Sequence, residues 1–307
     1  MILLDSVSKL KISIISGFLI GVAYQPWGLG FFTYFGFIPL IHLWTNNGPK
    51  INFKLGGVFG ITYNLISNYW IGMNSGTNSI VALLSLFFAV LYLSLFWSIA
   101  GYIIGFLNNK TNTFLGLPFV IVSLEWLRSF GPLGFPWGNI ALTQTKYINL
   151  IQFVDIIGTY GVTFLVISIN LIIYKAIYDR KRRKTLLSLV AILITGIMIS
   201  GRSMINSIKP KKESIEVAVI QPNIDPNEKW NASNRIKTFT FMDSLHNVAI
   251  KMEPDLILFP ETALPAYIRL DTKIRKKLQD KVDSSKTPIL IGTVDRKYGS
   301  KGEKIYF

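Results

Sequence analysis

Seven apolar stretches follow one another through residues 1–209, and they constrain the fold of this chain more than any other feature. Several are as long as the roughly 17–25 helical residues that cross a bilayer core, and the first two are short enough to be tilted or re-entrant. The stretches lie at about residues 10–24, 30–45, 55–71, 80–107, 114–130, 150–174 and 185–203. The sequence therefore predicts a polytopic α-helical membrane domain with about seven transmembrane helices over residues 1–209.

The composition is that of a membrane protein. Half of the residues are hydrophobic and only 16% are charged, which is too apolar for a soluble protein of 307 residues. The net charge of +15 is concentrated in the apolar part: residues 1–209 hold 15 Lys or Arg against 4 Asp or Glu, and residues 210–307 hold 17 against 13. A nucleic-acid site would instead place its basic residues among aromatics on a folded polar domain. We therefore expect a membrane-embedded protein with no nucleic-acid partner.

The positive residues also predict an orientation. With a cytoplasmic N-terminus, eleven Lys and Arg residues fall at the inner ends of the spans, and only Arg128 and Lys146 fall in the short outer links. This asymmetry follows the positive-inside rule, and it makes the charged run at residues 179–184 a cytoplasmic anchor. An odd number of spans then places the residues after Arg202 on the outer side.

Residues 210–307 change from long apolar spans to alternating strands and helices. Strands are predicted at residues 215–220, 255–259 and 288–294, and helices at 233–252 and 272–282. This alternation predicts an α/β sheet covered by helices. Apolar side chains three or four residues apart define the expected buried face of the first helix: Ile236, Phe239, Met242, Leu245, Val248 and Met252.

One carboxylate of this second domain is a candidate for catalysis. Glu261 follows the apolar run at residues 255–259, and the functional groups of α/β sheets gather at the carboxyl ends of strands. A carboxylate held there can act as a general base. An isolated Glu after a strand is nevertheless more often a solvated loop residue, so Glu261 needs support from the rest of the chain.

Two charged residues lie inside the fifth apolar stretch. Glu125 and Arg128 are three residues apart, so on a helix they share a face and can pair. An unpaired charge near the bilayer centre costs about 2.5–3.5 kcal/mol on insertion scales, which favours pairing. Two interpretations stay open, a structural ion pair and a contact for the headgroup of a substrate.

The motifs of both halves, taken in order, resemble one family. Residues 210–307 are similar to the start of a nitrilase-type domain of the carbon–nitrogen hydrolase superfamily, and with the spans before it the chain resembles bacterial apolipoprotein N-acyltransferases. The motifs of the first half are Glu125-Trp-Leu-Arg128, Gly134-Phe-Pro-Trp137 and Gln152-Phe-Val-Asp-Ile-Ile-Gly-Thr-Tyr-Gly161. The motifs of the second half are Val217-Ala-Val-Ile-Gln-Pro-Asn223, Lys229-Trp230, Leu256-Ile-Leu-Phe-Pro-Glu-Thr-Ala-Leu-Pro265 and Ile291-Gly-Thr-Val-Asp295.

The resemblance implies a fold, a reaction and a location. The fold is an α-helical polytopic membrane domain followed by an incomplete α/β domain of the nitrilase-type αββα sandwich, over residues 210–307. The reaction moves an acyl chain from a membrane phospholipid to an enzyme cysteine, and then to the α-amino group of the N-terminal diacylglyceryl-cysteine of a lipoprotein. The location is the bacterial inner membrane, with the nitrilase-like domain on the periplasmic side. No cofactor, nucleotide or metal is implied.

The resemblance also implies roles for individual residues. Glu261 matches the Glu of the family's Glu, Lys and Cys triad, where it serves as the general base for the thiol. Trp230 resembles a family tryptophan beside the entrance of the active site, where it can line the path of an acyl chain; a core aromatic is the alternative. Glu125 and Arg128 fall in the membrane-domain motif and are the candidate substrate-binding residues.

The triad is incomplete in these residues. The sequence contains no cysteine, and none of its lysines from Lys273 to Lys304 matches the catalytic Lys of the family. We therefore expect an acyltransferase chain that is truncated at its C-terminus and inactive alone, with residues 304–307 forming a strand edge without neighbours. Two alternatives stay open: a noncatalytic membrane protein that binds lipid or a partner, and a membrane-tethered nitrilase-type amidase.

Overall fold

The computed structural model describes residues 8–111, 116–209, 214–225, 229, 233–298 and 304–306. The chain divides into two compact units, Met1–Lys209 and Pro210–Phe307. The first unit is helical and the second combines strands with helices.

Helices account for most of the described residues of the first unit. Short 3₁₀ turns connect several of them, among them Pro136–Gly138 and Ile140–Gln144. The described α-helices are α1 (Lys9–Gly21), α2 (Ile38–Asn46), α3 (Pro49–Ser67), α4 (Ser79–Thr111), α5 (Leu117–Arg128), α6 (Ile148–Ile151), α7 (Val154–Tyr178) and α8 (Arg183–Ser207).

Three helices of the first unit are long and apolar enough to cross a bilayer within the part of the chain that the structure describes. They are Ser79–Asn108 within α4, α7 and α8. Many of their apolar side chains are exposed, including Phe87, Phe88 and Ile192, as expected for helices whose solvent is hydrocarbon. The chain is therefore a membrane protein. The count of seven spans remains a prediction, because α1, α2 and α5 are only 13, 9 and 12 residues long.

The core of the first unit is aromatic and aliphatic, and small residues bring two of its helices together. A Cβ atom added at Gly56 would lie 2.2 Å from the carbonyl oxygen of Trp97, and one added at Gly60 would lie 2.8 Å from the Cα of Ser94. Small residues four apart let helix backbones approach closely in a membrane, where packing rather than hydrophobic burial drives association. The glycines of α3 thus fix its close packing against α4. Phe37, Phe59, Tyr63 and Trp97 fill the adjoining core.

The second unit contains a parallel sheet whose strands occur where the sequence predicts them. Strands β1 (Val217–Val219), β2 (Leu256–Leu258) and β3 (Ile289–Leu290) pair in the order β1-β2-β3, with Val219 beside Leu258 and Leu258 beside Leu290. The helices α9 (Arg235–Ile250) and α10 (Thr272–Ser285) follow β1 and β2. The predicted α/β alternation is confirmed, and each strand is shorter than the predicted range.

The buried face of α9 is only partly the predicted one. Met242 is 1% exposed, and Phe239 and Leu245 pack against the core. Ile236, Val248 and Met252 were expected on the same face but are 78%, 53% and 62% exposed. The buried positions include Thr238, Met242, His246 and Ala249. Apolar residues lie on more than one face of α9. The spacing of apolar residues alone therefore could not show which face packs against the sheet.

The strand predicted at residues 304–307 is present where the structure describes it. Strand β5 (Lys304–Tyr306) has a neighbour, since it pairs antiparallel with β4 (Arg296–Tyr298). The two strands form a separate ribbon beside the parallel sheet. Among the described residues this ribbon has no further strand beside it, which agrees with the predicted sheet edge without neighbours.

Candidate functional sites of the two units

Glu125 and Arg128 lie in the last turn of α5, and both side chains are buried, at 3% and 2% exposed. The Glu125 Oε1 atom accepts a hydrogen bond of 2.8 Å from the backbone N–H of Ile140. The Arg128 Nη2 atom donates a bond of 2.9 Å to Asn139 Oδ1. The two charges therefore fasten α5 to the 139–140 segment, and the Glu125 carboxylate caps the 3₁₀ turn that begins at Ile140.

The same segment is held from its other side by two tyrosines. The hydroxyl groups of Tyr24 and Tyr63 donate to the carbonyl oxygen of Gly138 at 3.1 and 2.7 Å. Tyr63 is 2.8 Å from Tyr24 through their hydroxyl oxygens. The loop after α5 is thus tied to the N-terminal helices by a buried polar network, in which Glu125 Oε2 and Arg128 Nε have no hydrogen-bond partner among the described residues.

The direct ion pair expected between Glu125 and Arg128 does not form: no carboxylate oxygen of Glu125 lies within 4.0 Å of an Arg128 nitrogen in the described part of the chain. Each side chain reaches the loop instead of the other. The cavity that adjoins both has a volume of about 10 Å³, enough for about one water molecule. The buried bonds to the loop agree with a structural role of the two charges, and the contact with a substrate headgroup stays a prediction.

Glu261 lies on the segment that leaves the carboxyl end of β2, as predicted. Its side chain is exposed, and the neighbouring backbone is fixed by bonds to the segment after β3. The N–H of Phe259 donates to Leu290 O at 2.8 Å, and the N–H of Ala263 donates to Gly292 O at 3.2 Å. A Cβ atom at Gly292 would lie 2.7 Å from the Cα of Glu261, so this position needs a residue without a side chain. The carboxylate is therefore accessible while its backbone is held in place.

Lys229 lies beside this carboxylate. Its Nζ atom donates to Thr262 Oγ1 at 3.1 Å, and Thr262 has a positive φ of 49° that turns the chain directly after Glu261. Burial lowers the pKa of the Lys229 ammonium, and the negative charge of Glu261 acts in the opposite direction. The site thus brings a carboxylate and a partly desolvated ammonium group together at one end of the sheet.

An ion pair also connects two segments at this end of the sheet. The Arg269 guanidinium forms a two-atom ion pair with Asp295 and also donates to the carbonyl oxygen of Arg296 at 2.9 Å. Hydrogen bonding to Arg269 holds the pKa of the Asp295 carboxyl below its ordinary value. This pair joins the segment after β2 to the segment after β3, on which Gly292 lies.

The sequence identified some of these residues and missed others. Trp230 lies outside the described residues. Lys229 falls in the Lys229-Trp230 motif, which assigns it no role, and its position beside Glu261 could be found only from the fold. Asn139 and Gly138 were missed, although they directly follow the Gly134-Phe-Pro-Trp137 motif.

Comparisons with known proteins agree with these motifs. Residues 16–172 match a family model described as the apolipoprotein N-acyltransferase N-terminal domain. A curated protein of Geobacter metallireducens is 27% identical over 294 residues, which is 92% of this chain and 56% of that protein. Proteins of Haemophilus ducreyi and Thermotoga maritima are each 26% identical, over 89% and 87% of this chain and 54% of their own length. All three are described as apolipoprotein N-acyltransferase. The chain spans about half the length of the curated relatives it matches.

Proposed function

The chain belongs to the apolipoprotein N-acyltransferase family, and on that premise we propose that its 307 residues carry the membrane domain and the Glu-bearing part of the nitrilase-type domain of such an enzyme. The reaction is transfer of an acyl chain from a phospholipid to the α-amino group of the N-terminal diacylglyceryl-cysteine of a lipoprotein. The observation that carries this proposal is the position of Glu261, exposed on a fixed backbone at the carboxyl end of a parallel strand.

Glu261 can act as the general base of both transfers. In the first, the carboxylate accepts the proton of a cysteine thiol as sulfur attacks the ester carbonyl of the phospholipid, and the glycerol oxygen leaves with that proton. In the second, the amine of the lipoprotein attacks the thioester, gives its proton to Glu261, and the thiol is regenerated. The 307 residues contain no cysteine, so the nucleophile must come from polypeptide outside them.

The exposed face of the parallel sheet supports a nitrilase-type sandwich. Val219 and Leu290 occupy the same register across the sheet with Leu258, and they are 71% and 62% exposed. An apolar sheet face is stable when a second layer covers it. A second sheet packed there would complete the αββα arrangement that the resemblance implies.

The membrane domain supports a reaction at the bilayer, whose lipids are the proposed acyl donors. We assign the chain to the bacterial inner membrane, with residues 210–307 on the periplasmic side, because of the positive-inside asymmetry of the links. Both substrates are anchored in lipid. A catalytic domain tethered to the same bilayer is therefore held close to them, which raises the rate of the reaction. Within this scheme Trp230 lines the acyl path, and Arg128 with Glu125 shapes the loop beside the substrates.

Acyl transfer by the purified protein tests this proposal. The 307-residue polypeptide alone is expected to form no thioester and no N-acyl product, because it has no nucleophile. A completed enzyme, in which a cysteine-bearing polypeptide is supplied to these 307 residues, is expected to transfer a labelled acyl chain from phospholipid to a diacylglyceryl-cysteine peptide. Transfer by the 307-residue polypeptide alone would contradict the proposal, as would hydrolysis of soluble amides without transfer, which is the amidase alternative.

A further inference from the structure

An apolar groove of about 510 Å³ opens on the first unit between α3 and α4. Its walls are Phe53 of α3 and Ile99 and Tyr102 of α4, together with Lys50 and Lys54. The volume falls within the roughly 300–1,000 Å³ of small-molecule sites. The lining is almost entirely apolar, so the lysines contribute their aliphatic stems to the wall, and their ammonium groups lie at its margin.

The groove is built on a rigid base. A Cβ atom at Gly101 would lie 2.3 Å from the carbonyl oxygen of Asn52, and the contact of Gly56 with Trp97 is equally close. The backbones of α3 and α4 are therefore in contact at these glycines. The larger side chains beside the glycines form the sides of the groove. Phe53 and Tyr102 are 37% and 46% exposed, so the groove is open to whatever surrounds the helices.

Both lysines lack a counter-ion from the protein. Neither ammonium group has a carboxylate within 4.0 Å in the part of the chain that the structure describes. Residues 1–209 contain only 4 Asp or Glu. The two charges are one helical turn apart at the start of α3, so they face the same anion.

The groove lies at the basic end of the first unit. Three contacts connect the ends of several helices there. Lys9 donates a hydrogen bond to Asn47, and Asn108 donates one to Thr45 O at 3.2 Å. The Tyr178 hydroxyl lies 2.7 Å from His42 Nδ1. These bonds join the start of α1, the link between α2 and α3, and the later ends of α4 and α7. The charged run at residues 179–184 directly follows the end of α7.

We propose that this groove binds one anionic phospholipid at the basic end of the membrane unit. An acyl chain lies along Phe53, Ile99 and Tyr102, and the phosphate of the headgroup is held by Lys50 and Lys54. Charge complementarity selects an anionic lipid over a zwitterionic one, because the site supplies two positive charges and no negative one. Near a membrane surface each lysine contributes a factor of about five in affinity. The bound lipid fixes the depth of α3 and α4 in the bilayer and is not an acyl donor.

Counting bound lipids tests this site directly. The 307-residue chain is purified from membranes, mixed with equal amounts of phosphatidylglycerol and phosphatidylethanolamine, and examined by native mass spectrometry. We expect one phosphatidylglycerol to be retained preferentially. The double variant K50A/K54A should lower that retention about 25-fold, a factor of about five for each lysine. Ile99→Trp keeps both charges and fills the groove, so it should lose the lipid too.

A matched control removes the same charge from the same end of the unit. Lys11 and Lys184 are exposed and do not line the groove, so K11A/K184A should retain the lipid like the parent chain. Equal loss in both double variants would overturn the proposal, because it would show general charge attraction. Equal retention of the two lipids by the parent chain would also overturn the proposal. Displacement of the bound lipid by glycerol phosphate, added at the same concentration as the lipid, would overturn it too. The lipid count does not depend on acyl transfer, so its failure is distinguishable from failure of the proposed enzyme.

Discussion

Glu261→Gln in the completed enzyme is expected to lower the rate of acyl-enzyme formation by about 10²–10⁴-fold, the usual contribution of a general base. The amide keeps the size of the side chain and the exposed position after β2, but it cannot accept the thiol proton. Membrane insertion and the amount of folded protein should be unchanged, because no described hydrogen bond depends on this carboxylate. The measurement is the appearance of the thioester mass after mixing with phospholipid.

A control variant separates catalysis from charge. Glu216 is an exposed carboxylate of the same unit, just before β1. Glu216→Gln removes the same charge and should leave the rate within a factor of about two, since surface changes away from special features have small effects. A normal thioester yield in Glu261→Gln would remove Glu261 from the mechanism.

Arg128→Ala is expected to destabilise the membrane unit by about 3–5 kcal/mol, the usual cost of an uncompensated charge in the protein interior. The substitution leaves the buried Glu125 carboxylate without a nearby positive charge and removes the bond to Asn139. Thermal unfolding in detergent, followed by tryptophan fluorescence, should show a large fall in the midpoint. Arg202→Ala, at an exposed position of α8, should leave the midpoint unchanged.

The double variant E125Q/R128A tests how the two charges act together. If they compensate each other, the double variant should be more stable than the sum of the two single changes predicts. A midpoint in Arg128→Ala equal to that of the parent would contradict the structural role and restore the headgroup contact as its explanation.

Patterns of apolar residues predicted much of the architecture. The boundary of the membrane unit, the α/β alternation and the strand before Glu261 follow from hydropathy and spacing, which act over short stretches of chain. The family, predicted from ordered motifs, is confirmed by the match over residues 16–172. The buried face of α9 was predicted in part only, because Ile236 and Val248 fit the helical spacing as well as Thr238 and Ala249 do.

Contacts between distant parts of the chain could not be predicted. Glu125 and Arg128 are three apart and were expected to pair, yet each bonds a loop residue eleven or more positions later. Residue spacing does not single out Asn139 and Ile140, since their positions depend on how the loop folds back. Lys229 reaches Thr262 across 33 residues of sequence for the same reason.

The most direct test of the acyltransferase assignment is the mass of lipoprotein N-termini in bacteria depleted of their own N-acyltransferase. Expression of the completed enzyme is expected to add one acyl chain to the N-terminal diacylglyceryl-cysteine, and its Glu261→Gln form is expected to add none. Lipoproteins that stay diacylated when the folded, membrane-inserted parent protein is present would contradict the assignment.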